Sequence, residues 1–294
     1  MTENNKSIVL AGTAVLSWAT VATAFKIALQ HMSVYNMLLV ATLTTTLIYG
    51  VMMTIEGKWV NLKRMPRRLL AETMGLGVLN PVAYYLVLFQ AYDMLPAQVA
   101  QPVNYAWPIF LLMLLAVFNH EPIPKRKYIG MAISVGGVVC ISLGGGGLDG
   151  AVSVGGVLMA LLSAVLWASY WMLNNRLSDK TDTTVSLFLG FLVGSAVLLI
   201  AGVFAGIRID STAGLLSGIY IGCFEMGIPF LTFSMALGLT NNPALVNQMC
   251  YLSPFLSLFL IAMVLGEKIA PATYVGLALI VAGLVYNTRV GVRS

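Results

Sequence analysis

Ten stretches of this 294-residue chain run for about twenty residues each with almost no charge: 7–30, 34–55, 69–91, 96–118, 127–143, 154–173, 184–205, 213–238, 243–265 and 270–287. That length is what a helix needs to cross the hydrocarbon of a bilayer. In lipid every backbone N–H and C=O must be paired within the structure, so only helices and closed barrels can cross. None of the ten shows the alternation of a barrel strand. The fold class is therefore an all-α polytopic membrane protein with ten transmembrane helices. Composition matters at one point. Only 9% of the residues are charged, whereas soluble folds carry roughly 25%. The apolar run after Lys6 is too long for the core of a cleavable signal peptide and reads as the first span.

The stretch Gln98-Val99-Ala100-Gln101-Pro102-Val103-Asn104-Tyr105-Ala106-Trp107-Pro108 has a counterpart in Asn247-Gln248-Met249-Cys250-Tyr251-Leu252-Ser253-Pro254. A shift of 146 carries Gln101 onto Asn247, Tyr105 onto Tyr251, Pro108 onto Pro254 and Glu121 onto Glu267. The same shift carries Gly130 onto Gly276 and Gly137 onto Gly283. Near the start of each half, Leu16-Ser17-Trp18-Ala19-Thr20 matches Val165-Leu166-Trp167-Ala168-Ser169 at a shift of 149. In spans 3 and 8, Gly77 matches Gly222 and Asn80 matches Glu225 at a shift of 145. The chain therefore reads as two five-helix repeats, 1–147 and 148–294. Five is odd, so the second repeat enters the membrane inverted relative to the first. Inverted repeats are tied to secondary transporters, which open a site to either side in turn. A duplication kept for packing alone is the alternative.

Loop charge orients the spans. With the N-terminus inside, the inner side holds Lys6, the basic residues of 58–68, Lys125 to Lys127, Arg176, Lys180, Arg289 and Arg293. These make up 13 of the 16 Lys and Arg, a positive-inside pattern that places both termini in the cytoplasm. The net charge of +5 is topology information, and no nucleic-acid partner is expected. Cys140, Cys223 and Cys250 sit singly in apolar spans, and His31 and His120 are far apart, so neither a disulfide nor a metal site is expected. No cofactor motif is present.

Polar groups within a span usually face the bundle interior or a cavity. Gln101, Asn104, Tyr105 and Pro108 share one face at i, i+3, i+4 and i+7. Asn247, Cys250, Tyr251 and Pro254 repeat that face. Each proline frees a carbonyl and invites a bend. A substrate site near the midplane follows as the expectation, with simple interhelical hydrogen bonding as the alternative. Trp18, Trp107, Trp167 and Tyr170 are candidates to wall the site. Asn80 and Tyr84 on span 3 join them, with plain core packing as the alternative. Glu225 lies near the centre of span 8, and a carboxyl there is a candidate to carry a proton or to hold a substrate amine. Glu121 and Glu267 close spans 4 and 9 and are expected to brace loops. The series Gly214, Gly218 and Gly222, with Gly190 and Gly194, lets helices approach closely, within the chain or across a homodimer.

Ten spans, two inverted repeats, a Trp in the first helix of each half and a proline-bearing fourth helix ending in Glu121 resemble the EamA branch of the drug/metabolite transporter superfamily. Val103-Asn104-Tyr105-Ala106-Trp107-Pro108 is similar to a stretch of bacterial aromatic amino acid exporters. The resemblance implies an inner-membrane carrier of small metabolites, often an exporter, with a cavity lined from both halves.

The expected function is secondary active transport of a small-molecule substrate, foremost amino-acid export with aromatic amino acids among the candidates, by alternating access across the bacterial inner membrane. Export or import of nucleobases, drugs or other metabolites is the alternative, with protons as the candidate coupling ion. The protein would act as a monomer or a homodimer in the lipid bilayer. A membrane-embedded enzyme would need a nucleophile–base pair, a metal cluster or a cofactor motif, and none is found. A scaffold would need large loops, and the longest here is about a dozen residues.

Overall fold

The structure is a computed structural model, and it describes residues 3–118, 120, 123–144, 152–241 and 243–292. Glu121 and Arg293 lie outside the described residues, as does the boundary between 147 and 148. Ten helices among the described residues are long and apolar enough to cross a membrane. They are Glu3–Leu29, Val34–Ile55, Arg67–Met94, Ala97–Phe118, Lys127–Gly144, Val154–Ser178, Thr183–Phe204, Thr212–Leu239, Leu245–Leu265 and Pro271–Arg289, here spans 1 to 10. No strand occurs among the described residues. The ten apolar stretches of the sequence are these ten spans, displaced by a few residues at some ends.

Four spans are broken, at positions that correspond between the halves. Span 3 is kinked within Val78–Ala83, where Asn80 leaves the helical conformation, and span 8 carries a π-helical turn at Gly222–Gly227. Span 4 pauses at Tyr105 and Ala106 between Ala97–Asn104 and Trp107–Phe118. Span 9 pauses at Cys250 and Tyr251. Proline is the common cause, because it lacks an N–H and crowds the preceding turn. Before Pro81, Asn80 is driven to extended backbone, φ −137° and ψ 118°.

The chain divides into two compact units, each drawing on both halves of the sequence. One comprises Met1–Leu86 and Leu173–Thr240; the other comprises Val87–Met172 and Asn241–Ser294.

In the first unit, span 1 packs on span 8 and span 2 on span 7. The glycine series is used here, inside the chain. A Cβ on Gly77 would come within 2.9 Å of the Gly190 Cα, and one on Gly222 within 2.6 Å of the Ala41 carbonyl oxygen. Ser33 and Asp182 cap the N-termini of spans 2 and 7 with their side chains, and their numbers differ by 149. At that shift Ala41 corresponds to Gly190, so the 77–190 contact and the 222–41 contact are the same contact with the halves exchanged. Thr46 and Ser195, also 149 apart, bond each other at 3.0 Å.

Between spans, Lys58 bonds Glu56 at 2.6 Å and Asp182 at 2.9 Å, and also donates to the Thr184 hydroxyl at 3.0 Å. Burial alone would lower the Lys58 pKa, but its bonds to Glu56 and Asp182 outweigh burial and the pKa is raised.

In the second unit, spans 5 and 10 pack along most of their length. Gly130 abuts Gly283 and Gly137 abuts Gly276, backbone to backbone. The 146 shift exchanges these two contacts as well. At their centre, Ser134 donates to the Ile280 carbonyl at 3.0 Å. Glu267 braces the start of a helix, where the sequence led one to expect a loop. Its carboxylate accepts from the N–H groups of Ala97 (3.2 Å) and Gln98 (3.4 Å), at the start of span 4. Those donors have no partner inside the helix, and their dipole favours an anion. The Gln98 side chain ties the same end to Lys268, Ala270 and Thr273.

Gly137→Ala or Gly283→Ala should destabilise by about 1–3 kcal/mol through overpacking against backbone. Gly136→Ala, whose new Cβ would meet nothing within 4 Å, should be neutral or gain up to about 1 kcal/mol. Thermal unfolding in detergent separates them. A raised lysine pKa gives stability that is complete below about pH 10 and lost as pH rises through the folded value. Lys58→Met should therefore melt below the wild type at pH 8, and the gap should close above about pH 11.

Candidate functional site

Of the twelve residues singled out in the sequence, Trp18, Asn80, Tyr84 and Glu225 fall in the first unit. The other eight fall in the second.

The first group is built around the break in span 8. Pro229 has no N–H, so the Glu225 carbonyl four residues earlier loses its helical donor. The indole N–H of Trp18, on span 1, donates to that carbonyl at 3.2 Å. Tyr49, on span 2, donates to the carbonyls of Met226 and Gly227, both at 2.9 Å. Thr45 donates to the Gly222 carbonyl at 2.9 Å. Spans 1 and 2 thus replace the hydrogen bonds that the π-helical turn gives up, as a broken helix in lipid demands. The Trp18 ring stands edge-on to Phe230 and Phe233, with centroids at 6.3 and 5.5 Å. Its polar end serves the backbone, which neither a cavity wall nor plain core packing had anticipated.

The Glu225 side chain is 8% exposed. It takes one hydrogen bond among the described residues, from the Tyr85 hydroxyl to Oε1 at 3.1 Å. Tyr85 is fully buried, and Tyr84 packs edge-on against it at 4.6 Å. Asn80 is buried at the matching break in span 3, and its Oδ1 has no hydrogen-bond partner. The structure thus brings Trp18 and Tyr84 into the surroundings of Glu225. Tyr85, Tyr49 and Thr45 are the participants that sequence reasoning passed over. One signal was available for Tyr85. At the 145 shift it stands opposite Phe230, a phenol where the other half has a phenyl.

In the second unit an aromatic cluster forms along span 6. Trp167 stacks on Tyr170 at 5.5 Å, and Trp171 meets Trp167 edge-on at 5.8 Å. Trp107, from span 4, lies nearly parallel to Trp171 at 6.5 Å. Three of the four were singled out in the sequence; Trp171 was not, and its buried indole N–H has no partner. Asn104 donates to the Ser163 hydroxyl on span 6 at 2.8 Å. Gln101 is buried with an unpaired Oε1, whereas Asn247, its counterpart by the 146 shift, is exposed. Tyr105 is half-buried at the pause in span 4. Tyr251 is half-buried at the pause in span 9. Gln101 and Asn104 lie on the same helical segment, Asn104 turns to span 6, and Tyr105 stands at the pause that follows. No group of His, Cys, Asp and Glu among the described residues could hold a metal ion.

Trp18→Phe keeps an aromatic ring, smaller than the indole, and removes the donor to the Glu225 carbonyl. It should cost about 1–3 kcal/mol. Tyr49→Phe should cost at least as much, since two carbonyls lose their partner. Thermal unfolding of the detergent-solubilised protein measures both, and wild-type stability in either variant would contradict the assignment.

Comparison with known proteins agrees with this architecture. The chain is 28% identical to an uncharacterized transporter, YvbV, of Bacillus subtilis over 83% of this chain and 80% of that one. It is 24% identical to a probable terminal-alkyne amino-acid exporter of Streptantibioticus cattleyicolor over 94% and 91% of the two chains. It is 27% identical to the protein PecM of Dickeya dadantii over 71% of each. One crystal structure superimposes over 98% of both chains with a TM-score of 0.68 at 22% identity, a likeness of fold. The model of the EamA-like transporter family matches twice, at residues 5–143 and at 154–289. The chain belongs to the EamA-like transporter family, and is a multi-pass membrane transporter of small molecules.

Proposed function

We propose that this transporter is a secondary carrier that exports amino acids or similar small metabolites across the bacterial inner membrane by alternating access. Its termini are cytoplasmic, by the charge bias of its loops. The observation that carries the reading is Glu225, a lone buried carboxyl at a break in a membrane-spanning helix. Such a group is costly to place in a bilayer and commonly marks an ion or substrate path. Broken helices are also where secondary transporters build their sites.

Two inverted repeats supply the alternation. The double match of the family model supports them. So do the close contacts, since a two-fold relation requires that i meet j′ wherever j meets i′. The 77–190 and 222–41 contacts have that form, and so do the 130–283 and 137–276 contacts. Amino acids head the substrate list because one relative is described as an amino-acid exporter. The aromatic cluster around Trp167 suits solutes with a flat or partly apolar side chain. A titrating Glu225 makes protons the coupling ion.

Purified protein in liposomes tests this by counterflow of labelled amino acids, nucleobases and cationic drugs, with and without a proton gradient. Saturable exchange of amino acids, altered by the gradient, is the expected result. Exchange of another solute class alone would overturn the substrate. Exchange indifferent to pH would remove the proton. Glu225→Gln should abolish the pH dependence while leaving thermal stability near that of the wild type, and unchanged transport would remove Glu225 from the mechanism.

A further inference from the structure

We propose that Tyr85 is the positioning residue of the carrier: its hydroxyl holds one oxygen of the Glu225 carboxyl, so that the other oxygen is the one presented to the transported species. The inference rests on the reading of Glu225 just given.

The geometry is specific. Tyr85 donates to Oε1 at 3.1 Å. Among the described residues no group bonds the second oxygen, Oε2. Glu225 as a whole keeps 8% of its surface exposed. A carboxyl held at one oxygen has one fixed orientation. Without the bond it can rotate about its last torsion, which is broad and two-fold. The donor is itself fixed, being wholly buried with its ring against Tyr84.

The rest of the neighbourhood is occupied elsewhere. Trp18 and Tyr49 bond backbone carbonyls of the same segment. Tyr220, on the same span as Glu225, donates to the Thr20 hydroxyl at 2.7 Å. Cys223 lies on Glu225's own turn. Spans 1, 2 and 7 pack against this segment or its flanks. The titratable groups they add are Glu3, Lys6 and Lys26 toward the ends of span 1, and Tyr35 and Tyr49 on span 2; span 7 adds none. Tyr85 alone among these is bonded to the carboxyl.

The pairing also occurs once where the repeat would allow it twice. At the 145 shift, Glu225 corresponds to Asn80 and Tyr85 to Phe230. An amide and a phenyl cannot make this bond, and the Asn80 Oδ1 is indeed left without a partner. The chain has thus kept the two breaks and placed the acid and its donor at only one of them. Tyr85 follows the break in span 3 and Glu225 lies in the break in span 8, so a change at either break alters the bond between them.

Tyr85→Phe removes only the hydroxyl. In proteoliposomes we expect at least a tenfold loss of maximal transport rate and a displaced midpoint in its pH profile. The double variant Tyr85→Phe/Glu225→Gln should match Glu225→Gln alone, because Tyr85 acts through the acid. Tyr49→Phe, which loses a buried hydroxyl bonded to backbone in the same segment, should lower the melting temperature and leave the pH midpoint in place. A wild-type pH profile in Tyr85→Phe, with Glu225→Gln still abolishing pH dependence, would overturn the role of Tyr85 and leave that of Glu225 intact. A Glu225→Gln variant that transports like the wild type would overturn both. Equal pH shifts in Tyr85→Phe and Tyr49→Phe would reduce Tyr85 to a structural hydroxyl.

Discussion

A helix broken inside lipid must find new partners for the backbone groups it frees, and the first unit is arranged around that requirement. Pro229 removes the donor for the Glu225 carbonyl, and the π-helical turn disturbs the carbonyls beside it. No water in the hydrocarbon can take over. The donors come instead from Trp18 on span 1 and from Thr45 and Tyr49 on span 2. These bonds fix which faces of spans 1 and 2 meet span 8. The close glycine contacts follow from the same approach, since Gly222 can sit on the Ala41 carbonyl only without a Cβ. Break, donors and glycines form one solution to a single problem.

The break also prepares a place for chemistry. An unbroken helix would present Glu225 on a regular face. The π-helical turn breaks that regularity, and Glu225 there is left only 8% exposed. Breaks in membrane helices recur at functional sites because they combine exposed dipoles with a capacity to move. In the proposed mechanism, the paired breaks in spans 3 and 8 are the elements that change between the two access states. Asn80 and Glu225 sit at corresponding points of those breaks, which makes their chemical difference the asymmetry of the cycle.

Much of this was legible in the sequence, and the reasons differ by element. The ten spans were readable because apolar length and low charge are a direct consequence of the lipid solvent. Glu225 was readable because a carboxyl in such a run has no ordinary explanation. The breaks in spans 4 and 9 were signalled by Pro108 and Pro254. The larger disruptions in spans 3 and 8 were not foreseen, although Pro81 and Pro229 were there to be read. Roles that depend on partners from distant spans were hidden. Trp18 looked like a wall because nothing local shows that a carbonyl of span 8 awaits its N–H. Tyr85 was passed over beside Tyr84, since only the fold decides which of two adjacent phenols turns toward the acid. Asn104 was grouped with its helical neighbours, yet its partner Ser163 is on span 6.

The central claim is that two inverted repeats exchange conformations during transport, and matched positions in the two halves test it most directly. Tyr105 and Tyr251 correspond at the 146 shift, and each lies at a pause in its span. In a background with Cys140, Cys223 and Cys250 replaced, a single cysteine at either position can be labelled from the outer face with a membrane-impermeant thiol reagent. A saturating solute that exchanges in counterflow should change the two labelling rates in opposite directions, because what closes one half opens the other. Rates that rise or fall together, or that ignore the solute, would contradict the account.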